Sequence, residues 1–117
     1  MKVESQLEYL EMPVHFLEEM PFSFSGHATR RMSQRTISQE QVSLVLVYGR
    51  LIRSRGACFY VAGRKEVNRC AKEGVDLRSA EGIQVIVDER TNTVLTVYRN
   101  RNFRQIRPQH RRERRVH

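Results

Sequence analysis

The sequence predicts an α+β domain: two N-terminal helices packed on one face of a four-stranded antiparallel sheet, with a short extra helix in the 64–82 connection. Three observations predict it. Helix-start residues stand at Ser25 and Ser38, and each is followed by apolar positions at helical spacing. Two pairs of short β-like runs come next, each pair joined by a turn signal. The residues between the pairs switch back to a helical period, and about twenty of them are too many for a structureless loop in a compact domain.

Taken in order, Ser25 caps a helix over 27–35 whose apolar Ala28 and Met32 lie one turn apart. Ser38 opens a second helix with Gln41 completing a capping box, Val42, Val45 and Leu46 as its buried stripe, and Gly49 at the C-terminal cap. Residues 50–55 and 57–62 form a hairpin about Gly56. Val67, Cys70 and Ala71 recur at i, i+3 and i+4, so 64–73 forms the third helix, closed by Gly74. Ile83–Val87 and Val94–Arg99 form the second strand pair, around a polar Asp88–Thr93 turn containing Asn92.

At 117 residues the chain is one domain long and can bury about two thirds of its unfolded surface. No apolar run approaches the roughly 18 residues of a membrane span, and the first twenty residues, with five Glu, do not read as a signal peptide. Two isolated cysteines, Cys58 and Cys70, make no disulfide framework and fit a reducing cytoplasm. These features argue against secreted, membrane-spanning and multidomain classes.

The charge is +8 and very unevenly spread. Residues 1–21 form an acidic leader, poorly ordered or partly helical. Residues 22–103 hold the α+β domain, and 104–117 form an Arg-rich flexible tail. Arg99, Arg101, Arg104, Arg107, Arg111, Arg112, Arg114 and Arg115 face a single acid, Glu113, in the last nineteen residues. All are Arg rather than Lys, and Arg both forks onto phosphate and stacks on bases. RNA contact is one reading of this arm and a solubilising terminus another. In a third, the leader folds back and masks the basic parts.

The most specific constellation is His27, Arg31 and Arg35 at i, i+4 and i+8, which form one polar stripe beside the Ala28/Met32 seam. A histidine titrates where acid–base work is efficient, and two guanidiniums can hold a phosphate and stabilise charge building on it. The same stripe also reads as an ordinary solvated helix flank. At the last strand's end, Tyr98 can stack on a base or transfer a proton and Arg99 can bind phosphate. With Leu95 and Val97 toward the helices, Tyr98 turns away from them. Arg30, Tyr60 and Lys65 complete the candidate RNA contacts. No Gly-rich phosphate loop, paired metal-ligand spacing or carboxylate cluster is present, so no cofactor and no metal are expected.

Residues Gly26-His27-Ala28-Thr29-Arg30-Arg31-Met32-Ser33-Gln34-Arg35-Thr36-Ile37 resemble the His-Ala-x-x-Arg-Met-x-x-Arg-Gly-Ile opening of a bacterial family of domains of unknown function. Phe59-Tyr60-Val61-Ala62-Gly63, Val85-Ile86-Val87-Asp88 and Val94-Leu95-Thr96-Val97-Tyr98-Arg99 resemble its later strands, in order. That family is similar to RelE- and BrnT-type toxins. The resemblance implies a RelE/barnase-like sheet and a metal-independent ribonuclease acting on RNA, ribosome-bound mRNA included, with an antitoxin-like protein partner. On it, His27 is acid or base, Arg31 and Arg99 stabilise charge, and Tyr98 stacks or donates a proton. Thr36 departs from the family's Gly where a left-handed cap is expected, and the 64–82 connection is longer than usual. The alternative is a non-catalytic RNA- or protein-binding module on the same scaffold.

Overall fold

A computed structural model describes residues 22–106. The acidic leader and the tail arginines Arg107, Arg111, Arg112, Arg114 and Arg115 lie outside the described residues. The elements run β1 (Ser23–Phe24), α1 (Gly26–Gln34), α2 (Gln39–Tyr48), β2 (Arg50–Ser54), β3 (Ala57–Val61), α3 (Arg64–Lys72), a 3₁₀ turn (Arg78–Ala80), β4 (Ile83–Asp88) and β5 (Thr93–Arg99).

Local chemistry accounts for the helix starts. The Ser25 hydroxyl accepts from the Ala28 N–H at 3.0 Å. At Ser38 both halves of a capping box are made: Gln41 N–H donates to Ser38 Oγ (3.1 Å), and Ser38 N–H donates to Gln41 Oε1 (2.8 Å). Helix α1 closes with Ile37 N–H on Met32 O and Thr36 N–H on Ser33 O, the paired bonds of a Schellman ending. That ending requires a left-handed residue, and Thr36 supplies it at φ 54°. A β-branched side chain there costs about 1–2 kcal/mol, so the departure from Gly carries strain. Helix α3 ends the same way, with Val75 N–H on Cys70 O and Gly74 at φ 85°. The β2–β3 turn places Arg55 and Gly56 both at positive φ, the mirror-image turn that matches strand twist.

The expected four-stranded antiparallel sheet with two N-terminal helices on it is not the architecture. The sheet has five strands in the order β1-β5-β4-β3-β2 and is mixed, because β1 runs parallel to β5. Two residues are too few to show any alternation in sequence. The strand forms because the start of β5 leaves an open edge: Ser23 N–H reaches Asn92 O and Ser25 N–H reaches Val94 O, each at 3.0 Å. The helical layer also has three members. Helix α3 places Val67 and Cys70 in the same apolar cluster as Ala28, Met32, Val42, Val45, Val85 and Val97, so it is part of the main core.

The β4–β5 register slips at one point. Ile86 pairs with Thr96 while Val87 pairs with Val94, which leaves Leu95 as the extra residue of a bulge. Leu95 is therefore 37% exposed and does not face the helices as the plain alternation predicts. Beyond the bulge the alternation resumes, with Val97 in the core and Tyr98 opposite Gln84 on the other face.

Strand β4 is buried on both faces. Val85 and Val87 join the helix-side core. Val61, Ile86 and Ile106 are buried but stand outside that cluster, and the register puts Val61 and Ile86 on the second face. The segment after β5 is tied there: Gln84, 2% exposed, donates its side-chain amide to Asn100 O at 2.9 Å.

Candidate functional site

Helix α1 lies against β5, and side chains from its two ends hydrogen-bond the strand's outer edge. Ser25 Oγ donates to Leu95 O at 3.0 Å, and Arg35 Nη1 donates to Val97 O at 3.4 Å. Arg35 is the C-cap residue, one past the last helical position, so it leaves the stripe that it starts in the sequence and crosses to the sheet edge. His27 and Arg31 stay together on the helix: Arg31 Nε donates to His27 Nε2 at 3.3 Å.

Tyr98 is half-buried on the second face, near Arg35. Burial pushes its hydroxyl up, and the Arg35 charge pulls partly the other way. Arg99 and Arg101 flank Gly82, whose added Cβ would lie 3.8 Å from Arg99 Cγ and 3.0 Å from Arg101 Cγ. Gly82 itself sits at φ 89°. The absent side chain lets the two arginine stems lie on backbone while their heads stay in water.

The predicted residues do not all converge. Tyr60 lies on the helix side, edge-to-face with Phe22 (centroids 6.5 Å apart), and is half-buried against the core. Lys65 is exposed on the first turn of α3. His27, Arg30, Arg31 and Arg35 belong to α1 and its C-cap, and Tyr98 and Arg99 to β5, on which α1 packs, with Tyr98 on the sheet's second face and Arg101 and Arg104 following in the chain.

What the fold adds is a segregation of charge. Residues 22–39 carry three Arg and no acid, and residues 91–106 carry three Arg and no acid. The packing of α1 on β5 makes these distant stretches neighbours. The ion pairs Arg50–Glu66 (3.3 Å), Arg53–Glu89 (3.1 Å), Arg64–Glu81 (3.2 Å) and Arg78–Asp76 (2.9 Å) engage other arginines, although Glu81 directly precedes Gly82 and Arg50 lies over Phe103. Among the described residues, Arg30, Arg31, Arg35, Arg99, Arg101 and Arg104 have no carboxylate partner.

A profile of the family described as Domain of unknown function (DUF4258) matches residues 24–99. The chain belongs to this family. No curated protein and no solved structure matches it. The matched span begins in β1 and ends on Arg99, so α1 and β5, which carry the acid-free surface, are both DUF4258 elements. Arg101 and Arg104 extend the surface past the matched span. Among the described residues no group of three His, Cys, Asp or Glu can hold a metal ion, and no helix is long and apolar enough to cross a membrane.

On β3 of the DUF4258 domain, burial raises both the Cys58 thiol and the Tyr60 hydroxyl, with Glu89 adding to each and Arg53 opposing. Burial raises Tyr98 as well. A group whose folded value lies above its unfolded one holds its proton more tightly when folded. Its stabilisation is complete below the unfolded value and is lost as pH climbs through the folded one. Chemical denaturation should therefore show stability falling above about pH 8.5, the ordinary thiol value, and further above about pH 10, the ordinary phenol value. Cys58→Ala should remove the first part of that decline.

Proposed function

We propose that this protein binds RNA through the acid-free arginine surface of α1, β5 and the segment after β5. The observation that carries the reading is the absence of carboxylate partners for Arg30, Arg31, Arg35, Arg99, Arg101 and Arg104 among the described residues, while the acids that form ion pairs are held by other arginines. Unneutralised guanidiniums are free to replace counterions on a phosphate backbone. The tail arginines Arg107, Arg111, Arg112, Arg114 and Arg115 extend the same charge.

The test is the salt dependence of binding to a labelled RNA. Arg30→Glu combined with Arg31→Glu should weaken binding at least ten-fold at low salt. It should also reduce the log–log salt slope by about 1.4, since each phosphate that an arginine neutralises on a single strand is worth about 0.7. Lys72→Glu, an exposed change on α3, is the control and should alter neither. Equal weakening in the control and the double variant would mean that overall charge, and not this surface, holds the RNA.

A catalytic reading, a metal-independent RelE/BrnT-like endoribonuclease, draws support from one hydrogen bond, the His27–Arg31 pair at 3.3 Å. It sets an acid–base group beside a cation able to stabilise a pentacoordinate phosphate. In such chemistry the RNA's own 2′-hydroxyl attacks the adjacent phosphorus, the 5′-oxygen of the next nucleotide leaves, and a 2′,3′-cyclic phosphate remains. Cleavage would persist in EDTA and fall about 10²–10⁴-fold in His27→Ala, with the melting temperature kept. Undetectable cleavage with binding intact would leave the binding module alone.

A further inference from the structure

We infer that the second face of the sheet takes unstacked bases, with Tyr98 and Phe59 as the stacking rings, so that the RNA bound is single-stranded; this rests on the binding reading above. The face is defined by register. One row across it is Arg50–Val61–Gln84–Tyr98 and the next is Ile52–Phe59–Ile86–Thr96. No strand residue of either row is acidic; Glu66 and Phe103 occupy the far end at Arg50, three strands from Tyr98, and Asp88 comes only in the row beyond, opposite Ala57. Gln84 and Ile86 between the two rings are buried, while Tyr98 and Phe59 themselves keep part of their surface in solvent.

These two rings differ from the protein's other central aromatic pair. Phe22 and Tyr60 face each other edge-on at the core. Among the described residues, Tyr98 and Phe59 touch no other ring, and the Tyr98 hydroxyl has no hydrogen-bond partner. The hydroxyl is thus not what fixes the ring's place. What Tyr98 offers a ligand is an apolar π surface next in the chain to Val97, whose carbonyl holds the Arg35 guanidinium, with Arg99 and Arg101 following.

Geometry joins this face to the arginine surface. Arg35 reaches from the helix side to Val97 O on the outer edge of β5, and its charge acts on Tyr98 on the opposite face. A backbone running along that edge can leave phosphates on Arg31 and Arg35 while a base turns over the edge onto Tyr98. Phe59 lies two strands further in, about 10 Å across the sheet, within reach of a base further along an extended strand. A duplex cannot use this face, because its bases are stacked on one another and show only their edges in the grooves.

The experiment compares a labelled oligouridine with its duplex with oligoadenosine, using the full chain and fluorescence anisotropy. Single-stranded RNA should bind more tightly than the duplex. Tyr98→Leu keeps an apolar side chain for packing but removes the π face, and should weaken oligouridine binding about 5- to 150-fold, with duplex binding unchanged. Phe59→Leu should act in the same direction, and Tyr98→Phe should bind like the wild type. Loss of binding in Arg30→Glu/Arg31→Glu together with wild-type affinity in Tyr98→Leu overturns the stacking proposal and leaves the arginine reading intact. A duplex bound as tightly as the single strand overturns it too. Absence of any binding by the wild type at low salt removes both readings.

Discussion

Glu66→Ala is expected to lower stability by about 2–3 kcal/mol, read as a melting temperature lower by roughly 10–20 °C for a domain of this size. The Glu66 carboxylate is 3% exposed and works in two directions. One oxygen accepts the Gly63 N–H at 2.8 Å, capping the start of α3, and the other lies 3.3 Å from Arg50 Nε. The Arg50 guanidinium in turn sits 5.9 Å from the centre of the Phe103 ring. Removing the carboxylate leaves a buried N–H unsatisfied, worth about 1–3 kcal/mol, and takes a negative charge from a helix N-terminus, worth a few tenths to 1 kcal/mol. Arg50 is about half exposed and returns to water, so the larger cost of an orphaned buried charge is not incurred. Glu66→Gln keeps the acceptor for Gly63 and should recover at least half of the loss. Equal melting temperatures for the two variants would mean that the ion pair dominates the cap.

Gly49→Ala is expected to cost about 2–4 kcal/mol, for a reason distinct from that usual at a helix end. Gly49 is not left-handed; it has φ −74° and ψ 173°, an extended backbone open to any residue. Space is what requires glycine. A Cβ there would collide with the carbonyl oxygen of Val45 and lie 2.8 Å from that of Val61, and both obstacles are backbone. Gly56 presents the opposite case, with nothing within 4 Å of an added Cβ but φ at 81°. Asparagine tolerates the left-handed region, so Gly56→Asn should be nearly neutral while Gly49→Asn is as damaging as Gly49→Ala. Denaturant midpoints for the three variants check this.

Gly49 also marks where sequence reading reaches its limit. Its position at the end of α2 is legible, but the nearby Val61 carbonyl belongs to another strand, and no local pattern contains it. The same division runs through the fold. Ser25, Ser38, Gly56, Gly74 and Asn92 announce element boundaries because caps and turns are local hydrogen-bonding or dihedral demands. Strand β1 and the bulge at Leu95 exist only through pairing with residues far along the chain, and the plain alternation therefore misplaces Leu95. In the candidate site, the i, i+4 spacing anticipates the hydrogen bond between His27 and Arg31. It does not anticipate Arg35, which ends the helix and turns to β5, nor Phe59 on the second face. The acid-free surface is invisible segment by segment, since neither 22–39 nor 91–106 is unusually charged alone. It arises when α1 docks on β5.

The hydrogen bonds from Ser25 and Arg35 to Leu95 O and Val97 O have a bearing on self-association. An outermost strand with idle carbonyls is a template for another chain's backbone. Here β1 covers the first part of β5, and side chains occupy acceptors further along. At the opposite border, β2 carries Arg50 and Arg53, each held by a carboxylate. A stranger's strand arriving at the first border would have to displace a hydroxyl and a guanidinium before forming its own ladder, and at the second would meet fixed charge. Both borders thus resist lengthening of the sheet from copy to copy, and Arg35 serves this guard as well as the binding surface.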